Sequence, residues 1–427
     1  MAINIAGHQT GETTRRYRVA YLVTHPIQYQ APLLRLIARQ PDIDLTVFFE
    51  TDLTVGSFRD PGFGQVIKWD VPLLEGYRYE FLPTIGAADS ISRHRPLSYG
   101  FFSRLKRARF DALWVHGYAR RSNLTAILVA RMAGLKIFVR DEANALSAPR
   151  SRLRRIFKAL FFRFLSRLVD GFLAIGSANR DYYLANGIDP DKIFLMPYAV
   201  DNDFFAERAA QTMRNRETFR RELGLEAGRP VILFASKFQA RKRPGDLLLA
   251  YEQLLKKIPN SKDWPYLLFV GDGEVRASLE DKARKLSLTH TRFLGFRNQT
   301  ELSAFYDLCS VFVLPSTHEP WGLVVNEVMA AGRPVIVGSE VGCVADLVKP
   351  GHNGFTVRAG DIDGLADALF QVIGASSDQQ ESMCRASREI IHDWDFERDV
   401  SGLRQALKAT FRDDDSLVAG PTNPAQA

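Results

Sequence analysis

The sequence predicts an α/β protein built from two Rossmann-like halves, and three observations lead there. A chain of 427 residues with 46% apolar content can bury large cores in two domains or more. Short apolar runs alternate with helical stretches from Arg18 onward, and the alternation restarts at Pro230. Between Val311 and Gly338 the pattern closes into one unit: the strand VFVLP, a loop, a helix from Gly322 to Gly332, and the strand PVIVG. Such βαβ units build open parallel sheets that bind ligands beyond the carboxyl ends of their strands.

Taken in order, residues 1–16 are polar and aperiodic, as is the acidic then Pro/Ala/Gly-rich tail 413–427, so both ends are expected to be disordered. Arg18–Arg39 reads as strand, loop and helix, with the next strand at Leu45–Glu50. The loop His25–Pro32 then sits at a strand's carboxyl end. Ala112–Tyr118 and Lys136–Glu142 are further strands, separated by a helix at Asn123–Ala133; each ends on ionisable residues that should face one crevice. His116 there is a satisfied strand-end histidine or a ligand. In Arg150–Leu168 the apolar residues 153, 156, 157, 160, 161, 164 and 168 share one helical face, while Arg155, Lys158 and Phe162 occupy the other. That helix packs its apolar face on the core with a solvated basic side, or it lies on anionic lipid with Phe162 entering the interface.

Gly171–Gly176 is another strand, and a charged helical stretch follows at Arg208–Leu223. The expected division is an N-terminal domain at 17–205, a linker at 206–228, a second domain at 229–385 and a helix at 386–412. In the second half, Pro230–Leu255 gives strand, basic loop and helix, the loop flanked by Lys237 and Lys242. Tyr266–Glu274 ends in a Gly-Asp-Gly turn, Thr291–Cys309 repeats strand, loop and helix, and helices are expected at Asp361–Ile373 and Glu389–Arg412. Near Gly322 free backbone N–H groups at a helix start suit a phosphate. Glu319, entering that loop, and Glu327, two turns into the helix, can accept hydrogen bonds from sugar hydroxyls.

Composition narrows the function classes. The three cysteines, Cys309, Cys343 and Cys384, lie far apart with no metal-ligand spacing, so neither a disulfide framework nor a zinc site is indicated and a cytoplasmic location is expected. Arg15-Arg16 precedes an apolar run too short for an export signal, and no run reaches the ~18 residues that span a bilayer. Residues 1–200 hold 28 Lys and Arg against 17 Asp and Glu, and the remainder 28 against 32. A basic first half fits an anionic membrane or anionic acceptor; no nucleic-acid-binding motif accompanies it.

The stretch HEPWGLVVNEVMAAGRPVIVGSEVG, His318–Gly342, resembles the E-x7-E signature of retaining nucleotide-sugar glycosyltransferases, glycosyltransferase family 4, which have the two-domain GT-B fold. The resemblance extends over about residues 18–412 and is strongest at 230–356. It implies that the second domain holds a nucleotide sugar and the first an acceptor, a glycan or lipid-linked precursor. Lys237 and Lys242 would meet the diphosphate, Glu327 the ribose, Glu319 the donor sugar, and the N–H groups of Gly322, Leu323 and Val324 a phosphate. Gly271, Phe296 and Arg297 would complete the donor side, and the last helix would cross back to the first domain, with Trp394 and Phe396 stapling the two. This chain departs from the family's pattern at several places. The 25–32 loop has no glycine, leaving His25, Gln28 and Tyr29, with His116 and Glu142, as acceptor-side candidates. Arg140 stands where relatives place a histidine, giving a catalytic set of Glu319, Lys242 and Arg140; Lys237 stands where arginine is commoner and Ala199 where glycine is usual. No metal or other cofactor is implied, since lysines and backbone dipoles can meet the leaving diphosphate. A nucleotide-sugar epimerase on the same fold and a catalytically idle scaffold of a polysaccharide assembly remain the alternatives.

Overall fold

A computed structural model describes residues 15–85, 91–92, 94–146 and 152–418. The N-terminal domain runs β1 (Tyr17–Val23), α1 (Ala31–Ala38), β2 (Ile43–Phe49), a hairpin of β3 (Phe58–Asp60) and β4 (Gln65–Ile67), β5 (Arg78–Phe81), a short ribbon of β6 (Thr84–Ile85) and β7 (Leu97–Ser98), and α2 (Phe101–Ala108). It continues with β8 (Ala112–His116), α3 (Arg121–Met132), β9 (Lys136–Arg140), α4 (Arg152–Leu168), β10 (Gly171–Ala174), α5 (Ser177–Ala185) and β11 (Ile193–Leu195). Seven of these strands form one parallel sheet in the order β11-β10-β9-β8-β1-β2-β5. Alternation along β1 divides the core: Val19, Tyr21 and Val23 face α1, whereas Ala20 and Leu22 face the layer of α2, α3 and α4. Both faces are covered, which is why the central strands read as unbroken apolar runs.

The chain crosses at Pro197–Asp201 into α6 (Asn202–Met213) and α7 (Arg216–Glu222). A second parallel sheet, ordered β14-β13-β12-β15-β16-β17, follows from β12 (Val231–Ala235), β13 (Tyr266–Val270), β14 (Thr291–Phe293), β15 (Val311–Leu314), β16 (Val335–Gly338) and β17 (Gly354–Val357). Its helices are α8 (Pro244–Lys257), α9 (Arg276–Lys285), α10 (Gln299–Leu308), α11 (Leu323–Ala330), the single turn α12 (Val344–Leu347), α13 (Ile362–Ile373) and α14 (Ser377–His392). The last helix, α15 (Phe396–Val418), returns to the N-terminal domain, where Val400, Leu403, Leu407 and Phe411 join the core under β1 and β2.

Four sequence expectations change. The stretch 206–228 is no linker: α6 and α7 pack on α10 and α11, with Phe205 and Phe219 against the second core, so the boundary falls at the crossing before α6. The helix expected at 386–412 is two, because α14 stays on the second domain and Asp393–Asp395 carries the chain across before α15. The tail expected to be disordered from 413 continues as helix to Val418, and residues 1–14 and 419–427 lie outside the described residues. Finally, α4 is rotated relative to expectation. Phe162 and Leu165 are in the core, and Leu153, Ile156, Phe157, Leu160 and Phe164 face outward. A helix apolar on nearly every side offers two stripes, and the sheet takes the one bearing Phe162 because Tyr118, Phe172 and Tyr182 close around that ring. Lys158 goes in with it, donating to the Tyr118 hydroxyl at 3.0 Å.

Candidate functional site

The carboxyl ends of the two sheets face each other across a cavity of about 950 Å³. On the second-domain side β15 delivers the chain to Ser316–Gly322 and α11 starts at Leu323. Gly322 is required there twice over: its φ of 102° is left-handed, and a Cβ would come 2.9 Å from Val341 Cγ1. Trp321 bolts this loop in place. It is buried, donates from Nε1 to Asn326 Oδ1 at 2.8 Å and stacks on Trp394 at 5.2 Å; Asn326 in turn donates to the Tyr198 carbonyl at 3.1 Å. The helix N-terminus is thereby fixed to both chain crossings.

Glu319 is buried beside two cations: Lys242 Nζ bonds its Oε1 directly and Arg241 Nη1 donates to the same oxygen at 2.8 Å. Burial pulls the Lys242 ammonium below its ordinary range, and Glu319 holds it up against that. The turn 240–242 is also sewn to the glutamate's loop, Thr317 N donating to Arg241 O at 2.9 Å and Arg241 Nη1 to His318 O at 3.0 Å. Glu327, a turn into α11, accepts from the Tyr306 hydroxyl at 2.6 Å, and burial pushes its carboxyl up to about 7. Gly271 closes the floor between Ser236 and Phe238; a Cβ there would lie 2.0 Å from Ser236 O. Phe296 and Arg297, after β14, line the far end with Tyr306.

The facing wall comes from the first domain. Glu142 lines the cavity, its Oε1 accepting from Tyr198 at 2.5 Å and Tyr29 at 3.4 Å. His25 and Gln28 line it too; the His25 Nδ1 is out of water with no hydrogen-bond partner, and burial pushes its imidazole down to about 4. Two expected residues stand elsewhere. His116 lies behind Glu142, 3.3 Å from Gln30 Nε2, with burial holding it neutral at a pKa of about 3, so it is the satisfied histidine and not a cavity-lining ligand. Arg140 is no catalytic group: it is 2% exposed, pairs with Asp399 of α15 at 3.0 Å, and donates to the carbonyls of Met196 and Pro197 at 3.0 and 2.9 Å. It is not among the residues that line the cavity, so a sugar there is out of its reach.

The β3–β4 hairpin escaped the sequence reading. It leaves the first domain and closes over the second: both Asp60 oxygens accept from Lys237 Nζ at 2.9 Å, Phe63 meets Phe296 edge-on at 4.7 Å, and Asn298 Nδ2 donates to Lys68 O at 2.6 Å. Lys237 therefore lines the cavity as expected but is held by a carboxylate from the opposite domain. The signal was present in the turn residues Asp60-Pro61-Gly62 between two short alternating runs. Arg241 and Tyr306 were also missed, since neither stands out from a basic loop or a helix until folding brings it to a glutamate.

This architecture is the GT-B class: two parallel-sheet domains, an anion-ready helix start and paired glutamates at their interface. Residues 215–389 match the family model described as "Glycosyl transferases group 1". An uncharacterized glycosyltransferase of Methanocaldococcus jannaschii is 32% identical over 180 residues, 42% of this chain and 45% of the relative. A D-inositol 3-phosphate glycosyltransferase of Corynebacterium diphtheriae is 31% identical over 204 residues, 47% of this chain and 46% of the relative. The chain thus spans about half the length of these relatives. Among solved structures, an α,α-trehalose 6-phosphate synthase from Burkholderia multivorans superposes with a TM-score of 0.70 at 14% identity, covering 94% of this chain and all of that one, 100%. HepE of Anabaena in complex with UDP gives 0.67 at 16%, covering 92% of this chain and 100% of that one.

Proposed function

We propose that the protein transfers a glycosyl group from a nucleoside diphosphate sugar to a hydroxyl of a glycan or lipid-linked acceptor, with retention of anomeric configuration. The observation that carries this reading is the convergence of Glu319, Glu327, Lys242, Arg241 and the α11 N-terminus on one wall of the interdomain cavity. In it, Glu327 accepts from the ribose hydroxyls, the N–H groups of Gly322–Val324 and the cations Lys242 and Lys237 hold the diphosphate, and Glu319 orients the donor sugar. The acceptor lies against His25, Gln28, Tyr29 and Glu142. As the glycosidic bond breaks, charge builds on the leaving diphosphate, and fixed cations with helix N–H groups stabilise it most at that moment. An acceptor hydroxyl entering on the same face, its proton passing to a leaving phosphate oxygen, gives retention.

HepE was crystallised with UDP and with UDP-glucose, which makes uridine donors the first to test. The experiment is incubation of the full chain with UDP-, GDP- and ADP-sugars, with and without hydroxyl acceptors, read by proton NMR at the anomeric carbon. A product glycoside of the donor's configuration, formed only with acceptor, supports the reading. Sugar isomerised without acceptor would make the protein an epimerase, and an inverted product would overturn the mechanism. Because cations of the chain itself meet the diphosphate, activity should survive a divalent-metal chelator.

A further inference from the structure

The outer face of α4 carries an apolar stripe that nothing in the described structure covers. Leu153, Ile156, Phe157, Leu160 and Phe164 recur at i, i+3, i+4, i+7 and i+11 and are 69, 49, 71, 58 and 53% exposed, while Phe162 on the opposite side is fully buried. Two large phenylalanines in water on one helix is far from the scattered exposure of a monomer surface. The neighbours extend it: α4 packs beside α3, which exposes Leu128 and Met132 (82%), and α3 beside α2, which exposes Phe102.

Charge indicates what covers this face. From Phe101 to Leu168 there are sixteen Lys and Arg against three Asp and Glu. Of those acids, Asp111 accepts from the Arg18 amide and Glu142 lines the cavity, and burial pushes Asp141 up to about 7. Neither α2 nor α4 contains an acid; Arg155, Arg163 and Arg167 are exposed on α4, and Lys106 on α2 lies 4.6 Å over the Phe102 ring. The helix that carries the stripe is about 25 Å long by the rise of its 17 residues. Exposed apolar side chains with arginines on the same helix match the boundary between acyl chains and anionic headgroups, into which such a helix sinks by ~5–10 Å. No helix among the described residues is long and apolar enough to cross a membrane, so the contact is one of lying on the surface.

We propose that the α2–α3–α4 face docks on an anionic lipid bilayer, with Phe157, Leu160 and Phe164 entering the interface and Arg163 and Arg167 meeting lipid phosphates. This corrects the residue first singled out for insertion, since Phe162 points the other way. It stands independently of the transferase reading, since none of these side chains lines the interdomain cavity.

The test is co-sedimentation of the full chain with vesicles of phosphatidylcholine alone or mixed with phosphatidylglycerol. Binding to the mixed vesicles only is expected, falling as salt rises from about 0.1 M to about 1 M, over which the screening length shrinks from about 10 Å to about 3 Å. Phe157→Ser/Leu160→Ser/Phe164→Ser should weaken it about tenfold or more, a loss of at least about 1.4 kcal/mol. Because these side chains are exposed, its melting temperature and nucleotide binding should not change, and Arg163→Glu/Arg167→Glu gives a second variant with the same expected loss. Equal binding to neutral vesicles, no binding to anionic ones, or sedimentation unaffected by either variant would overturn the proposal. So would light scattering that shows a dimer dissolved by the triple change, which would make the face a contact between copies.

Discussion

Glu327 and Lys242 show what single side chains contribute. With its carboxyl pushed up to about 7 by burial, Glu327 carries a proton part of the time near neutrality in the free protein, and the carboxylate accepts from ribose hydroxyls more strongly than the acid, one of whose oxygens is a donor. Ligand contact therefore lowers its pKa, so affinity is full above pH 7 and falls by up to about tenfold per pH unit below it, until the bound-state pKa is reached. Titrating a nucleotide sugar, whose phosphates are diesters and keep their charge, between about pH 5.5 and 8.5 should show this slope in the native protein and none in Glu327→Gln. A flat native profile would remove Glu327 from the ribose. Lys242→Ala should lower kcat by roughly 10²–10³ with a smaller rise in KM, as for loss of one preorganised charge donor. A change confined to KM would place Lys242 on the ground state alone. Asp60 acts in the other direction. Its carboxylate occupies Lys237 at the place where the diphosphate is expected, so Asp60→Asn should tighten nucleoside diphosphate binding; weaker binding would mean that Asp60 holds Lys237 in its working position.

At the scale of elements, what the sequence disclosed follows from periodicity and what it concealed follows from three-dimensional choice. The unit Val311–Gly338 was legible to within a residue or two because its strands are unbroken apolar runs and Gly322 and Gly332 punctuate its helix. The β3–β4 hairpin was not, since strands of three residues carry too little pattern. The facing of α4 was not, since a helix with two apolar stripes does not say which one the sheet will take. Arg140 was misread for a related reason: a cation at a strand end looks poised for ligand, and only the return of α15 supplies Asp399. The facing of α4 has its own stability signature. Phe162→Ser should cost on the order of 3–5 kcal/mol as a lost core aromatic, while Phe157→Ser should stay within about 0.5 kcal/mol. Thermal melts in which the two variants fall equally would contradict the observed rotation.

For the whole molecule, the decisive feature is that the chain crosses between domains twice and both crossings converge behind the site. Tyr198 on the first crossing and Trp394 on the second both meet Trp321, whose loop starts α11. Trp394 packs with the second core and Phe396 against the first, so the expected staple is present, and Arg140–Asp399 pins α15 beside it. Breaking that buried pair by Arg140→Met should cost about 3–5 kcal/mol and lower the melting temperature by several degrees, with part regained in Arg140→Met/Asp399→Leu. An unchanged melt would show that α15 does not depend on it. In the proposed function the interdomain cavity is a nucleotide-sugar site read by its second-domain wall. Calorimetric titration of UDP, GDP and ADP into the full chain and into Glu327→Ala tests it most directly. One base should bind with a single site and lose about tenfold to a hundredfold of its affinity in the variant, the ~1.5–3 kcal/mol of hydrogen bonds to a charged group. Binding of none of the three, or binding indifferent to Glu327, would contradict the account.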